Sequence, residues 1–231
     1  AITIEAFDEV PATPAGYVIA SEQASDVEGM PTTRYTFLKP SILSRSEDKV
    51  GSKLAITIEA FSEVPITPAG YVLANEQVSD FEGIKTNRYT FLKPSILSET
   101  EDKVGSQKSI VIETFSLTPT TPANYVLANT QVSDVAGIPT RRYTFLKIGS
   151  ELSRSEDNVG SQLAIVVEQF DGTPATPANH ILAKTEESNL DGISTKRYTF
   201  LKPSILSQTE DKVGSQNAIV IEAFNLEPSA G

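Results

Sequence analysis

Ala55–Phe61 reads AITIEAF, and Arg88–Lys93, which starts 33 residues further on, reads RYTFLK. In the first phrase Ile56 and Ile58 share one side of an extended chain, while Thr57, Glu59 and Phe61 share the other. That is a period of two, rich in β-branched residues, and it predicts a strand. The second phrase alternates Tyr89 and Phe91 with Thr90 and Leu92 and predicts another. Between them stands SEVPITPAG, whose two prolines exclude a helix interior and a central strand. YVLANEQVS follows, then the turn DFEG, in which an Asp can bond its own backbone and a Gly is free to take positive φ. Two extended runs flanking so short a turn predict an antiparallel hairpin.

The same phrases recur. AITIEAF opens at Ala1 and Ala55, SIVIETF at Ser109, AIVVEQF at Ala164 and AIVIEAF at Ala218, spacings of 54, 54, 55 and 54 residues. RYTFLK stands at Arg34, Arg88, Arg142 and Arg197. Self-similarity at a fixed period is the mark of a repeat architecture. The expected division is four β repeats, 1–54, 55–108, 109–163 and 164–217, with 218–231 as the first strand of a fifth. The one extra residue falls where LKIGSELS replaces LKPSILS in the third copy, an insertion best absorbed by a loop. No segment keeps apolar residues at helical spacing without an intervening Pro or Gly. The expectation is an all-β chain of tandem antiparallel repeats, about three strands to a copy, stacked as a rod-like array. The polar stretch PSILSETEDKVGSQ serves as a fixed turn between copies.

Such copies cannot be independent. Below roughly 70–80 residues one core seldom supplies more than about 3–5 kcal/mol without disulfides, metals or oligomerisation. The chain has no cysteine. Three strands also leave two open edges. Burial and pairing therefore come from a neighbouring copy or another chain. Either small domains are closed by the first strand of their successor and packed into a homo-oligomer, or three chains wind about an axis and share their sheets.

The remaining composition narrows partners. The 231 residues are 39% hydrophobic and 21% charged, with 30 acidic against 19 basic residues and a net charge of −11. A nucleic-acid backbone is repelled by such a surface, and no basic cluster offsets it. No apolar run reaches the roughly 18 residues of a membrane span. The final stretch EPSAG reads as an interruption, so the chain reads as a piece of something longer.

No catalytic, cofactor or metal residues are assigned. Glu59, Glu113 and Glu168 recur on the first strand, and Arg88, Arg142 and Arg197 on the third. A catalytic carboxylate is normally built once, so these residues are read as members of structural cross-strand pairs, Glu–Arg or Glu–Lys. Glu5 and Arg34 are the same residues in the first copy, and Glu222 repeats the acid in the fifth. The repeat core is assigned to Ile58, Phe61, Tyr89, Phe91, Tyr143, Phe145, Tyr198 and Phe200. The acidic turns lack the EF-hand spacing and are read as capping turns. His180 replaces Tyr17, Tyr71 and Tyr125 and is read as a packing substitution.

The phrases DGISTKRYTFLKPSILS and DKVGSQ, the latter leading into AIVIEAF, resemble repeat segments of virion structural proteins of tailed phages. The likeness spans all four copies and contains no catalytic signature. It implies a non-enzymatic, homo-oligomeric component of a fibre, spike or decoration, located in the virion. Its partners would be other copies of the chain, other virion proteins and a host surface. His180 and the KIGSEL insertion depart from the pattern. The rival expectation is a bacterial surface adhesin or stalk, and a third is a non-catalytic carbohydrate-binding repeat.

Overall fold

In the computed structural model, which describes residues 1–226, the chain is all-β. β1 (Ile2–Ala6), β2 (Val18–Val27) and β3 (Met30–Leu38) form an antiparallel sheet of order β1-β3-β2. β4 (Ser41–Val50), β5 (Lys53–Phe61), β6 (Val72–Phe81) and β7 (Ile84–Leu92) follow with order β4-β5-β7-β6. The third sheet repeats this plan as β10-β11-β9-β8, from β8 (Ser95–Val104), β9 (Gln107–Phe115), β10 (Tyr125–Val135) and β11 (Ile138–Lys147). The fourth does so as β12-β13-β15-β14, from β12 (Glu151–Val159), β13 (Gln162–Gln169), β14 (Ile181–Leu190) and β15 (Ile193–Leu201). β16 (Ser204–Val213) and β17 (Gln216–Phe224) pair as a hairpin. Two compact units divide the chain, Ala1–Ser98 with Ile112–Pro119 and Val132–Arg142, and Glu99–Val111 with Thr120–Gln131 and Tyr143–Gly231. The first holds the first two sheets, and the second holds the fourth sheet and the β16–β17 hairpin.

Three expectations change. A complete sheet has four strands, because PSILSETEDKVGSQ and its counterparts are strands and tight turns rather than linking loops. The first strand of a copy sits inside its own sheet rather than capping the one before: β5 lies between β7 of its copy, Ile56 opposite Phe91 and Glu59 opposite Arg88, and β4, the last strand of the expected copy before, and β17 likewise pairs with β16 of the fourth copy. Sheets therefore run 41–92 and 151–201, and a repeat begun at Ala55 cuts through β5. Of the segment 218–231, residues 227–231 lie outside the described residues. The third copy's extra residue falls in the connection 148–150 between β11 and β12.

Turn chemistry sets the hairpins. Glu82 and Gly83 between β6 and β7 both have positive φ, 54° and 80°, as a type I′ turn requires, and Asp80 Oδ1 accepts the Gly83 N–H at 2.8 Å. β5 and β6 are both antiparallel to β7 and hence parallel to each other, so residues 62–71 must run back along the sheet. Burial along that return has a period of three: Pro65 is buried, Pro68 and Tyr71 partly so, and their neighbours are exposed. A polyproline-like extended chain has that period, which puts both prolines and Tyr71 on its inner side. Tyr71 packs on the apolar face of Ile56, Ile58, Ala60, Tyr89 and Phe91. The return ends in a tight turn, with the Tyr71 N–H donating to Pro68 O at 3.0 Å and Gly70 at φ 78°. Lys93 Nζ lies 5.1 Å from the Tyr71 ring centroid, a cation–π contact over the outer face.

The open edges are blunted. β4 carries an irregular register between Ile42 and Ser44, and β6 another between Leu73 and Asn75. A bulge on an edge strand twists its unpaired groups out of line and opposes edge-to-edge pairing.

Candidate functional site

Two constellations recur. The first lies on the central strands. Glu59 sits opposite Arg88, Nε to Oε2 3.3 Å, and also accepts a hydrogen bond from the Thr86 hydroxyl. Glu168 repeats this with Arg197 at 3.5 Å and with the Thr195 hydroxyl. Glu113 accepts from Thr140, and Arg142 stands two residues beyond that threonine. The three glutamates are buried, while Arg88 and Arg197 are about half exposed. A carboxylate out of water needs its oxygens occupied, and on Glu59 and Glu168 the threonine hydroxyl donates to one oxygen while the arginine pairs with the other. Thr86 lies one position diagonal to the Glu59–Arg88 pair, within reach across an antiparallel ladder. The sequence reading named the ion pair and missed the hydroxyl, although Thr-x-Arg stands in every copy, as Thr32-Thr33-Arg34, Thr86-Asn87-Arg88, Thr140-Arg141-Arg142 and Thr195-Lys196-Arg197.

Glu5 shows what position in the sheet contributes. Arg34 and Thr32 are its partners in the same way, with Ser25 in addition, but β1 is an edge strand and Glu5 is exposed. The hydrogen bond from the Arg34 guanidinium holds the Glu5 carboxyl below its ordinary value, against an opposing effect of desolvation. Elsewhere the hydrogen bond from Arg154 holds Glu151 below the carboxylate norm, and Glu101 raises Lys108.

The assigned core residues Ile58, Phe61, Tyr89, Phe91, Tyr143, Phe145, Tyr198 and Phe200 are all buried. They belong to two different surfaces of each sheet. Ile58, Tyr89 and Phe91 lie under the proline return. Phe115, the counterpart of Phe61, joins the second constellation.

That second constellation is a seam between successive sheets. In the first unit the two-residue turn Gly51–Ser52, which joins β4 to β5, sets the Ser52 N–H on the Leu97 carbonyl of β8 at 3.0 Å. Around it Val50, Ala55 and Leu92 of one sheet pack with Leu97, Phe115 and Ile138 of the next. In the second unit the Ser106 N–H donates to Leu152 O at 2.7 Å, and Val104 and Leu146 pack with Leu152, Phe170 and Ile193. The Ser161 N–H donates to Leu206 O at 2.9 Å. Glycine is required at the turn for two reasons. Gly51, Gly105 and Gly160 have φ of 57°, 57° and 59°, and a Cβ on them would stand 3.0, 2.3 and 2.6 Å from the leucine carbonyl oxygen. Gly214, the same residue of the β16–β17 turn, has φ 66° and nothing within 4 Å. Gln107 and Gln162 add side-chain bonds across the seam, Nε2 to Glu151 O at 3.0 Å and to Ile205 O at 3.4 Å.

Among the described residues no group of three or more acidic, histidine or cysteine side chains is placed to hold a metal ion. Nor is there, among the described residues, a helix long and apolar enough to cross a membrane. No family model, no curated protein and no solved structure matches the chain.

Proposed function

We propose that this chain is a non-enzymatic structural protein, a repeat segment of a phage virion fibre or appendage that acts as a stiff spacer or scaffold within a homo-oligomer. One observation carries the reading: the same joint is built three times from a glycine turn and a backbone hydrogen bond to the next sheet, and at Leu97 and Leu152 an apolar cluster packs around it. Repeat proteins gain stability as a sum of unit and interface terms, and here the interface is the part spelled identically, as Val50–Gly51–Ser52, Val104–Gly105–Ser106 and Val159–Gly160–Ser161. Chemistry needs one well-made site, whereas transmitting geometry along a chain needs the same joint at every step. The blunted edge strands favour association of chains through faces and loops rather than by sheet extension. Large apolar side chains on the outer side of the returns, Val64 at 77% and Ile66 at 92% exposure, supply surface for it.

Light scattering on the intact chain tests this. A discrete mass of two or more chains, stable on dilution, is the expected result. A monomer at every concentration refutes the homo-oligomer, and immunogold labelling that finds the protein off the particle refutes the virion assignment.

A further inference from the structure

The four copies serve as controls for one another, and their departures from the common text gather at one place in the fourth sheet. A row of three residues crosses the face under the proline return. It reads Ala6, Thr33 and Ala24 in the first sheet and Ala60, Asn87 and Val78 in the second, and the corresponding residues of the third copy are Thr114, Arg141 and Val132. In the fourth it reads Gln169, Lys196 and Glu187. On either side of a central position that is polar in every copy, small or apolar side chains have given way to an amide and a carboxylate, which stand directly opposite the Lys196 cation. They line a cavity of about 350 Å³ with Asp171, Gly172 and Ser194. This lies at the lower end of the ~300–1,000 Å³ typical of small-molecule sites.

Its wall is also singular. Gly172 stands where the other copies have Glu9, Glu63 and Leu117, and at φ 138° its backbone suits glycine alone. The Tyr198 hydroxyl pins it by donating to Gly172 O at 3.1 Å. The chain's one insertion lies behind this wall: the Phe170 N–H donates to Ser150 O at 2.9 Å, and a Cβ on Gly172 would meet Gly149 Cα at 3.5 Å.

Inside, the account of hydrogen bonds is incomplete. Gln169 is 4% exposed, and its Oε1 is buried without a partner. An orphaned acceptor at such depth is costly, and a ligand that brings a hydroxyl donor relieves it. Glu187, half of an exposed ion pair with Lys196 at 3.5 Å, and Asp171 offer further acceptors, and the Lys196 ammonium a donor. Two carboxylates against one ammonium disfavour an anionic ligand.

We infer that this cavity is a binding site for a neutral polyhydroxylated ligand, a single sugar residue, held by hydroxyls donating to Gln169, Glu187 and Asp171 and by Lys196 donating to a sugar oxygen. The site is independent of whether the chain belongs to a virion.

The test uses the intact chain and the methyl glycosides of glucose, galactose, mannose and N-acetylglucosamine. Amide resonances of Gln169 and of residues 171–173 are followed by heteronuclear NMR. Saturable shifts confined to these residues are expected for at least one glycoside. Restoring the second copy's residues with Q169A and E187V is expected to weaken binding about tenfold or more. K196N, which also restores a residue the second sheet tolerates, is expected to weaken it with an unchanged melting temperature. The inference is overturned if none of the four glycosides shifts these resonances, or if binding survives both the Q169A/E187V and the K196N change.

Discussion

The seam makes a graded prediction from four glycines in one chemical setting. Gly105→Ala places a methyl group 2.3 Å from the Leu152 carbonyl oxygen, whereas Gly214→Ala places it in open space. Both substitutions incur the cost of a non-glycine residue in the left-handed region, about 1–2 kcal/mol. Only Gly105→Ala must also push the turn off β12. That movement stretches the Ser106 to Leu152 hydrogen bond, worth about 0.5–1.5 kcal/mol, and strains the cluster of Val104, Leu146, Leu152, Phe170 and Ile193 as overpacking does, at about 1–3 kcal/mol. Gly105→Ala is therefore expected to cost about 3–6 kcal/mol and Gly214→Ala about 1–2 kcal/mol. Gly160→Ala and Gly51→Ala should fall between in that order, following approaches of 2.6 and 3.0 Å. Urea unfolding followed by far-ultraviolet circular dichroism gives the four values, and hydrogen exchange at β12 and β8 reports whether the loss is local. Equal destabilisation by all four substitutions would mean that backbone conformation alone requires the glycines, and the seam would lose its energetic role.

Three further outcomes follow from the same geometry. Phe91→Ala empties a side chain that is 2% exposed at the centre of the face under the proline return, and should cost about 3–5 kcal/mol in urea unfolding. Thr86→Val leaves the buried Glu59 with one donor fewer and should cost about 1–3 kcal/mol; a double-mutant cycle with Glu59→Gln should show that most of this loss disappears once the charge is gone. The pH dependence has a fixed sign at the exposed end of the scale. Glu5 and Glu151 have folded pKa values below the ordinary 4.5, so the unfolded chain binds protons first. Their contribution is present above about pH 5 and disappears as pH falls through the depressed folded values. Lys108, raised above 10.5, contributes below that value and loses its effect as pH climbs through the folded one. The Arg154→Gln variant should flatten the acid limb of the urea midpoint against pH, and an unchanged limb would show that Glu151 plays no part in it.

Strand propensity and turn chemistry were legible in particular residues. Ile56 and Ile58 alternating with Thr57 and Glu59, and Asp80 placed three residues before Gly83, specify a strand and a hairpin by local rules. The fourth strand was not legible, because Ser95–Val104 reads SILSETEDKV and is mostly exposed along its charged half. An edge strand with solvent beside it has no apolar alternation to betray it; its hydrogen bonds to a central strand make it a strand. The Glu–Arg pair could be named from recurrence, but its burial could not. A carboxylate alternating with Thr57 reads as a solvated face until neighbouring strands cover it, as Glu5 on an edge strand and Glu59 on an interior one demonstrate.

What the amino-acid order determined alone was therefore of short range: the β class, the repeat of 54 or 55 residues and the Asp–Gly hairpin turns, since each depends on φ/ψ preferences and side-chain spacing within a few residues. What only the folded chain decided was which segments meet. The seam joins Ser52 to Leu97, and the cavity joins Gln169 to Lys196 and Glu187. Contacts across so many residues depend on sheet order and register, which local preference does not contain, because each near-identical strand could pair in several places and only the collective burial of a whole sheet selects one.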